Sequence, residues 1–173
     1  MKQATLCLLI RENGEENDKE ILLAMKKKGF GIGKWNGVGG KFDSRKGDRN
    51  VIEAAIREAE EEIGIKINNL EKVAILDFYF PHIPQDQNWN QQVHVFITKD
   101  WIGEPQESEE MKPKWFKINE IPFDKMWTDD IFWLPKILSG RKLKAKFVFS
   151  KEEIILQHEI KILKKAELRS LWG

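Results

Sequence analysis

Cysteine is nearly missing from this chain: Cys7 is the only one in 173 residues. An internal disulfide is thereby excluded, and its place in an apolar run makes Cys7 a reduced core residue rather than a nucleophile. Neither sign of charge prevails, with 29 Lys and Arg against 28 Asp and Glu. That balance argues against a nucleic-acid coat and against a membrane surface. No apolar stretch approaches the roughly 20 residues of a spanning helix. Met1-Lys2-Gln3 leads straight into a short apolar run, with no small-residue exit of a cleavable signal. Repeats and low-complexity segments are also missing. These absences predict a cytoplasmic, monomeric protein with no nucleic-acid and no membrane partner.

What is present fits one domain over residues 1–173. Hydrophobic residues make up 41% of the chain, enough for one core. Seven tryptophans call for core or ligand-stacking roles. Thr5–Ile10 reads as a buried strand, turned by the polar stretch from Glu12 to Asp18, and Ile21–Met25 returns as its partner. Lys26–Gly33 is too rich in glycine for a regular element and reads as a loop, and Trp35–Lys41 has polar and glycine positions where backbone can approach something closely. A helix follows: Asn50 caps it, Glu53 suits a capping box, and Gly64 ends it. Strands are expected over 73–80, 92–98 and 114–117. A second helix runs from Asp129 or Asp130 to about Leu138, bent by Pro135 or carrying it in its first turns. Residues 144–150 and 154–163 form a closing hairpin, and the charged last ten residues a frayed helix; the tail from about 162 to 173 has no assigned role. The sum is an α/β fold, a mixed sheet covered by helices on its faces.

Chemistry concentrates in Arg57-Glu58-Ala59-Glu60-Glu61-Glu62-Ile63-Gly64-Ile65. Glu58, Glu61 and Glu62 stand at i, i+3 and i+4, so a helix puts their carboxylates on one face. Like charges at that spacing repel unless compensated. Hard divalent cations such as Mg²⁺ or Mn²⁺ would compensate them and also bridge phosphate oxygens. Arg57 can pair with Glu53 or Glu61, each four residues away. Solvated acidic faces share this spacing, so alone it leaves both readings open.

The segment resembles the signature of the Nudix hydrolase family: Gly, five residues, Glu, seven residues, Arg-Glu, an apolar residue, any residue, Glu-Glu, any residue, Gly, apolar. Arg57 to Ile65 match it position for position. The first half departs, with Arg49 where the signature has Glu and Asp43 where it has Gly. The box therefore starts at Gly40, runs to about residue 65 through a lengthened loop, and has Asp48 in place of the missing acid. The resemblance implies an α/β/α sandwich with two main helices, and Mg²⁺ or Mn²⁺ held by Glu58, Glu61, Glu62, Glu110 and the backbone of Gly40. It implies catalytic roles for Glu62, Glu61, Glu58, Glu110 and Arg57, and a small-molecule nucleotide as substrate.

Within the family, Met25-Lys26-Lys27, Trp35–Lys41, Val93–Phe96, Glu107–Pro113 and Met126–Asp130 are similar to the MutT-type branch that clears oxidised purine nucleotides. That likeness implies a base read by Asn36, Asp129 and Asp130, stacked on Trp127 and lined by Phe30 and Phe78, with Lys26 near the phosphates and Thr5 completing the pocket. Plain alternatives stand beside each: a helix cap for the aspartates, core filler for Trp127, a turn for Asn36, a plug for Phe30, a solvated run for Lys26. His94 reads as a satisfied structural residue. Gln91 or Gln92 falls where this branch carries an apolar pocket residue, and the 81–90 loop is longer.

Three readings follow: an oxidised-purine triphosphatase releasing monophosphate and pyrophosphate, a broad Nudix pyrophosphatase, and a non-catalytic nucleotide sensor. The intact glutamate set argues against the last. A nucleic-acid binder lacks the basic excess it needs.

Overall fold

The structure is a computed structural model, and it describes residues 1–12 and 18–172. The expected turn between the first two strands falls mostly on 13–17, outside the described residues. Eight strands form one mixed sheet: β1 (Lys2–Glu12), β2 (Lys19–Lys26), β3 (Trp35–Asn36), β4 (Lys66–Tyr79), β5 (Gln91–Ile102), β6 (Met111–Lys117), β7 (Leu143–Phe149) and β8 (Ile155–Ile162). Their order is β3-β2-β1-β5-β4-β7-β8, with β6 also paired to β2. β1 runs parallel to β5 and β4 parallel to β7; the other pairs are antiparallel.

Alternation along these strands builds two cores, one on each face. Leu6, Leu8, Leu23, Leu76 and Val95 pack with Trp133, Leu134 and Ile137 of helix α2 (Asp130–Leu138). Cys7, Leu9, Leu22 and Phe96 pack on the opposite face with Ala55, Ala59 and Ile63 of helix α1 (Val51–Ile63). The small side chains of Ala55 and Ala59 let α1 lie close to the sheet, which holds its glutamates at a fixed height above it. The expected sandwich is therefore formed.

Several local expectations are corrected. Trp35–Asn36, given no element in the sequence, forms a short strand on β2. β4 and β5 extend well beyond the apolar runs that announced them. Asn50 Oδ1 does accept the Glu53 N–H, at 3.0 Å. Glu53 does not complete the box, because its carboxylate takes the Arg49 N–H at 2.9 Å and the Arg49 guanidinium instead. Pro135 sits at the sixth position of α2, in the second turn and so within the first turns expected for it. The tail is packed, not frayed: residues Lys165–Leu171 form a 3-10 helix. Its Leu171, together with Leu163, buries against Ile75 of β4. Among the described residues no helix is long and apolar enough to cross a membrane.

Candidate active site

The segment 37–41 joins α1 to the sheet. It lies alongside the first half of β1, where Thr5 N–H donates to the Gly40 carbonyl at 2.8 Å and Cys7 N–H to the Val38 carbonyl at 2.6 Å. A side chain at Gly39 would collide with the Thr5 backbone, and one at Gly40 would fall within 2.5 Å of Glu58 Oε1. Both positions must be glycine for backbone, β1 and the α1 carboxylates to meet.

Arg57 organises the carboxylate face. Its Nε and Nη2 donate to the two oxygens of Asp48, both at 2.8 Å. Its Nη1 donates to Glu58 at 2.8 Å and Glu61 at 3.1 Å. The expected Glu53 partner is taken by Arg49, so of the two i±4 acids only Glu61 pairs with Arg57. The Arg57 hydrogen bonds hold the buried Asp48 carboxyl below its ordinary range, and those from Asp48 and Glu58 push Arg57 above its own. Glu61 is half exposed and also meets Lys46 at 3.4 Å.

Glu62 points elsewhere. It accepts the Gly39 N–H at 3.2 Å and lines a cleft of about 430 Å³. Burial pushes its carboxyl up to about 8; the Gly39 N–H pulls back, the charges of Glu58 and Glu110 push further, and Lys26 opposes them. Glu110 is exposed, with its carbonyl accepting the Lys27 N–H. Among the described residues no group of three or more His, Cys, Asp or Glu side chains converges to hold a metal as they stand, since Glu58 and Glu61 are turned to Arg57. The donor set itself fits a hard divalent cation: all oxygen, negatively charged, mutually repelling around Glu62, with a Cβ-free approach at Gly40.

The same cleft is lined by Asp129 and Asp130, both almost wholly buried. Asp129 holds the cap position of α2 yet makes no side-chain cap bond; its Oδ2 accepts the Trp133 indole N–H at 2.8 Å. Asp130 Oδ2 is buried without a partner. Burial raises both carboxyls, and the Asp129 charge and a hydrogen bond between the two side chains raise Asp130 far more. Two adjacent acids out of water cannot both ionise cheaply, so the pair retains a proton and offers a donor beside an acceptor.

All eight expected pocket residues, Thr5, Lys26, Phe30, Asn36, Phe78, Trp127, Asp129 and Asp130, line this one cleft with Gly40 and Glu62. Arg57, Glu58, Glu61 and Glu110 do not. Asn36 belongs to β3 and its Oδ1 accepts the Gly37 N–H at 2.9 Å. Trp127 lies 5.2 Å from the Phe30 ring and 4.8 Å from Lys34 Nζ. Gln91 faces the cleft, while Gln92 donates to Asp77 at 2.9 Å. The sequence reading missed Trp133, four residues beyond Asp129 and so one helical turn away. It also missed Phe149, Ser150 and Glu153 from the β7–β8 hairpin, which carry no local signal of a pocket. His94 is only half satisfied: Nε2 meets Gln3 Oε1 at 2.5 Å, but Nδ1 is buried without a partner.

The family model of the NUDIX domain matches residues 1–137. The chain belongs to the Nudix family. It is 38% identical over 159 residues to the Danio rerio protein named oxidized purine nucleoside triphosphate hydrolase, across 92% of this chain and 94% of that one. The Mus musculus protein of the same name is 38% identical over 143 residues, across 83% and 87% of the two chains. The Nudix fold is also that of a MutT protein from Bacillus halodurans, with TM-score 0.74 and 22% identity over 93% of this chain and 98% of that one.

Proposed function

We propose that this Nudix protein hydrolyses oxidised purine nucleoside triphosphates. Water adds across one P–O–P bridge, and a nucleoside monophosphate and pyrophosphate leave. The observation that carries the reading is the buried Asp129–Asp130 pair, retaining a proton in the same aromatic cleft that Glu62 and Gly40 line. A protonated acid beside an ionised one matches the altered donor and acceptor edge of an oxidised purine. Movement of the shared proton lets the same two residues take either oxidised guanine or oxidised adenine. The names of the two 38%-identical relatives point the same way.

Trp127 and Phe78 offer apolar faces to the base, and Asn36 a polar edge beside it. Lys26 neutralises phosphate charge. Glu58, Glu61, Glu62, Glu110 and the Gly40 carbonyl would hold Mg²⁺, or Mn²⁺, once Glu58 and Glu61 turn from Arg57. When bound, such an ion polarises the phosphate and stabilises the departing pyrophosphate. Arg57 positions Glu58 and Glu61 rather than touching substrate, and Glu62 is the one acid of that set lining the cleft, where its carboxylate, ionised by a neighbouring cation, would take a proton from attacking water. A broad pyrophosphatase is the second reading, favoured by the polar Gln91 on the cleft wall.

Pyrophosphate release with Mg²⁺ should be followed for oxidised dGTP, oxidised dATP and the undamaged nucleotides, with Glu62→Gln as control. Strong preference for the oxidised pair, lost in the control, is expected. Equal rates on all four select the broad enzyme, and nucleotide binding without turnover rejects hydrolysis.

A further inference from the structure

The cleft has an outer aromatic wall, of which the reading above uses only Trp127. Trp89, on the loop between β4 and β5, lines the cleft and keeps 42% of its surface exposed. Its ring stands edge-on to Phe30, 5.8 Å between centroids, and to Phe80 at 6.0 Å. Phe30 reaches in from the β2–β3 loop with 63% of its surface open and lies against Trp127. Trp127, Phe30 and Trp89 thus form one continuous run of rings at the cleft mouth.

Packing alone does not account for Trp89, since nearly half of a large apolar ring stays in water. Exposed aromatic surface gathered at the rim of a concave site marks a ligand contact. The ring is also held in place by its neighbours. Asn88 adopts a left-handed backbone, φ 45°. Asn90 Oδ1 accepts the Phe80 N–H at 2.9 Å, and its carbonyl accepts the Lys2 N–H at 3.2 Å. With the Asn88 N–H also donating to the Gln85 carbonyl at 3.1 Å, the loop presents the Trp89 ring with little ordering left to do on binding.

We propose that Trp89 is a substrate-contacting, specificity-determining residue that stacks with the purine ring of the incoming nucleotide and favours purine over pyrimidine. The proposal rests on the nucleotide reading of the cleft. Stacking reads ring area and not hydrogen-bonding edge, so Trp89 separates purine from pyrimidine while the aspartates separate oxidised from undamaged purine.

The test combines calorimetric binding of non-hydrolysable purine and pyrimidine triphosphates with steady-state kinetics on oxidised dGTP and dGTP. Wild type, Trp89→Ala and Trp89→Phe are compared. Trp89→Ala is expected to weaken purine binding and raise KM by roughly tenfold, with a far smaller change in kcat. Pyrimidine binding should fall less, the ratio of oxidised dGTP to dGTP should hold, and Trp89→Phe should recover most of the loss. Unchanged purine affinity in Trp89→Ala, or equal losses for purine and pyrimidine, overturns the proposal. Should wild type bind purine nucleotides without hydrolysing them, the hydrolase reading fails while calorimetry still decides the role of Trp89. Melting temperatures equal to wild type show that the variants fold.

Discussion

Asp48 and Arg57 face each other through two parallel hydrogen bonds of 2.8 Å, with the carboxylate almost fully enclosed. The same Asp48 accepts the Asp43 N–H at 2.9 Å. One acid thereby ties the loop before α1 to the arginine that orients Glu58 and Glu61.

Asp48→Ala removes two charge-assisted hydrogen bonds of Arg57, which keeps Glu58 and Glu61 as partners, and frees the loop. Hydrogen bonds to charged groups contribute about 1.5 to 3 kcal/mol, so urea unfolding should show a loss of that size. Hydrolysis should fall with it even at temperatures where the variant remains folded.

Gly40→Ala puts a methyl group into the space held by the Glu58 carboxylate. Overpacking of this kind costs about 1 to 3 kcal/mol, and Glu58 must move away from the glutamate face. The expected result is a folded protein by circular dichroism with kcat/KM lowered by about a hundredfold or more, as for a displaced catalytic group.

The aspartate pair gives the stability a defined pH slope. Both carboxyls are raised, Asp129 to about 6 and Asp130 further. Between the ordinary carboxylate value near 4 and those raised values, the folded chain binds more protons than the unfolded one. Their contribution therefore falls as pH rises, by about 1.4 kcal/mol per pH unit for each group still protonated only in the fold. His94, lowered to about 4 by burial and by Lys72, has the opposite sign below its ordinary value near 6.5. Comparing Asp130→Asn with wild type cancels that term. The variant should gain on wild type steadily from pH 5 to 7 in denaturant titrations, and a constant difference would contradict the raised carboxyl.

Leu171 is 1% exposed and closes the small cluster with Leu163 and Ile75. Leu171→Ala should cost about 2 to 5 kcal/mol in thermal or urea unfolding. A negligible loss would mean that the closing helix contributes nothing to the fold.

The sheet and both helices were legible because their signals are local. Alternation in Val93, Val95 and Ile97 marks a strand, and Asn50 with Gly64 brackets α1. The ends of β4 and β5 were not, because Lys66–Asn69 and Asp100–Ile102 pair with each other and carry only isolated apolar residues, Ile67 and Trp101 among them, too few to announce a strand. The glutamate face followed from i, i+3, i+4 spacing, and the pocket set from resemblance. Its supports were harder to see: Asp48 with Arg57 spans nine residues, and Trp89, Phe149 and Glu153 reach the cleft only through strand order. A charged tail reads as frayed in sequence because the Ile75 surface that holds it lies about ninety residues upstream.

Helix α2 opens with an acid that leaves the backbone N–H groups of the first turn without a side-chain acceptor. A smaller neutral residue at 129 would remove the cost of burying a carboxyl there. It would also release Trp133 and dissolve the proton-sharing pair. One place to make this protein sturdier is thus where, on the proposed reading of the cleft, sturdiness erases its discrimination, and a search for heat-tolerant variants should leave residue 129 fixed.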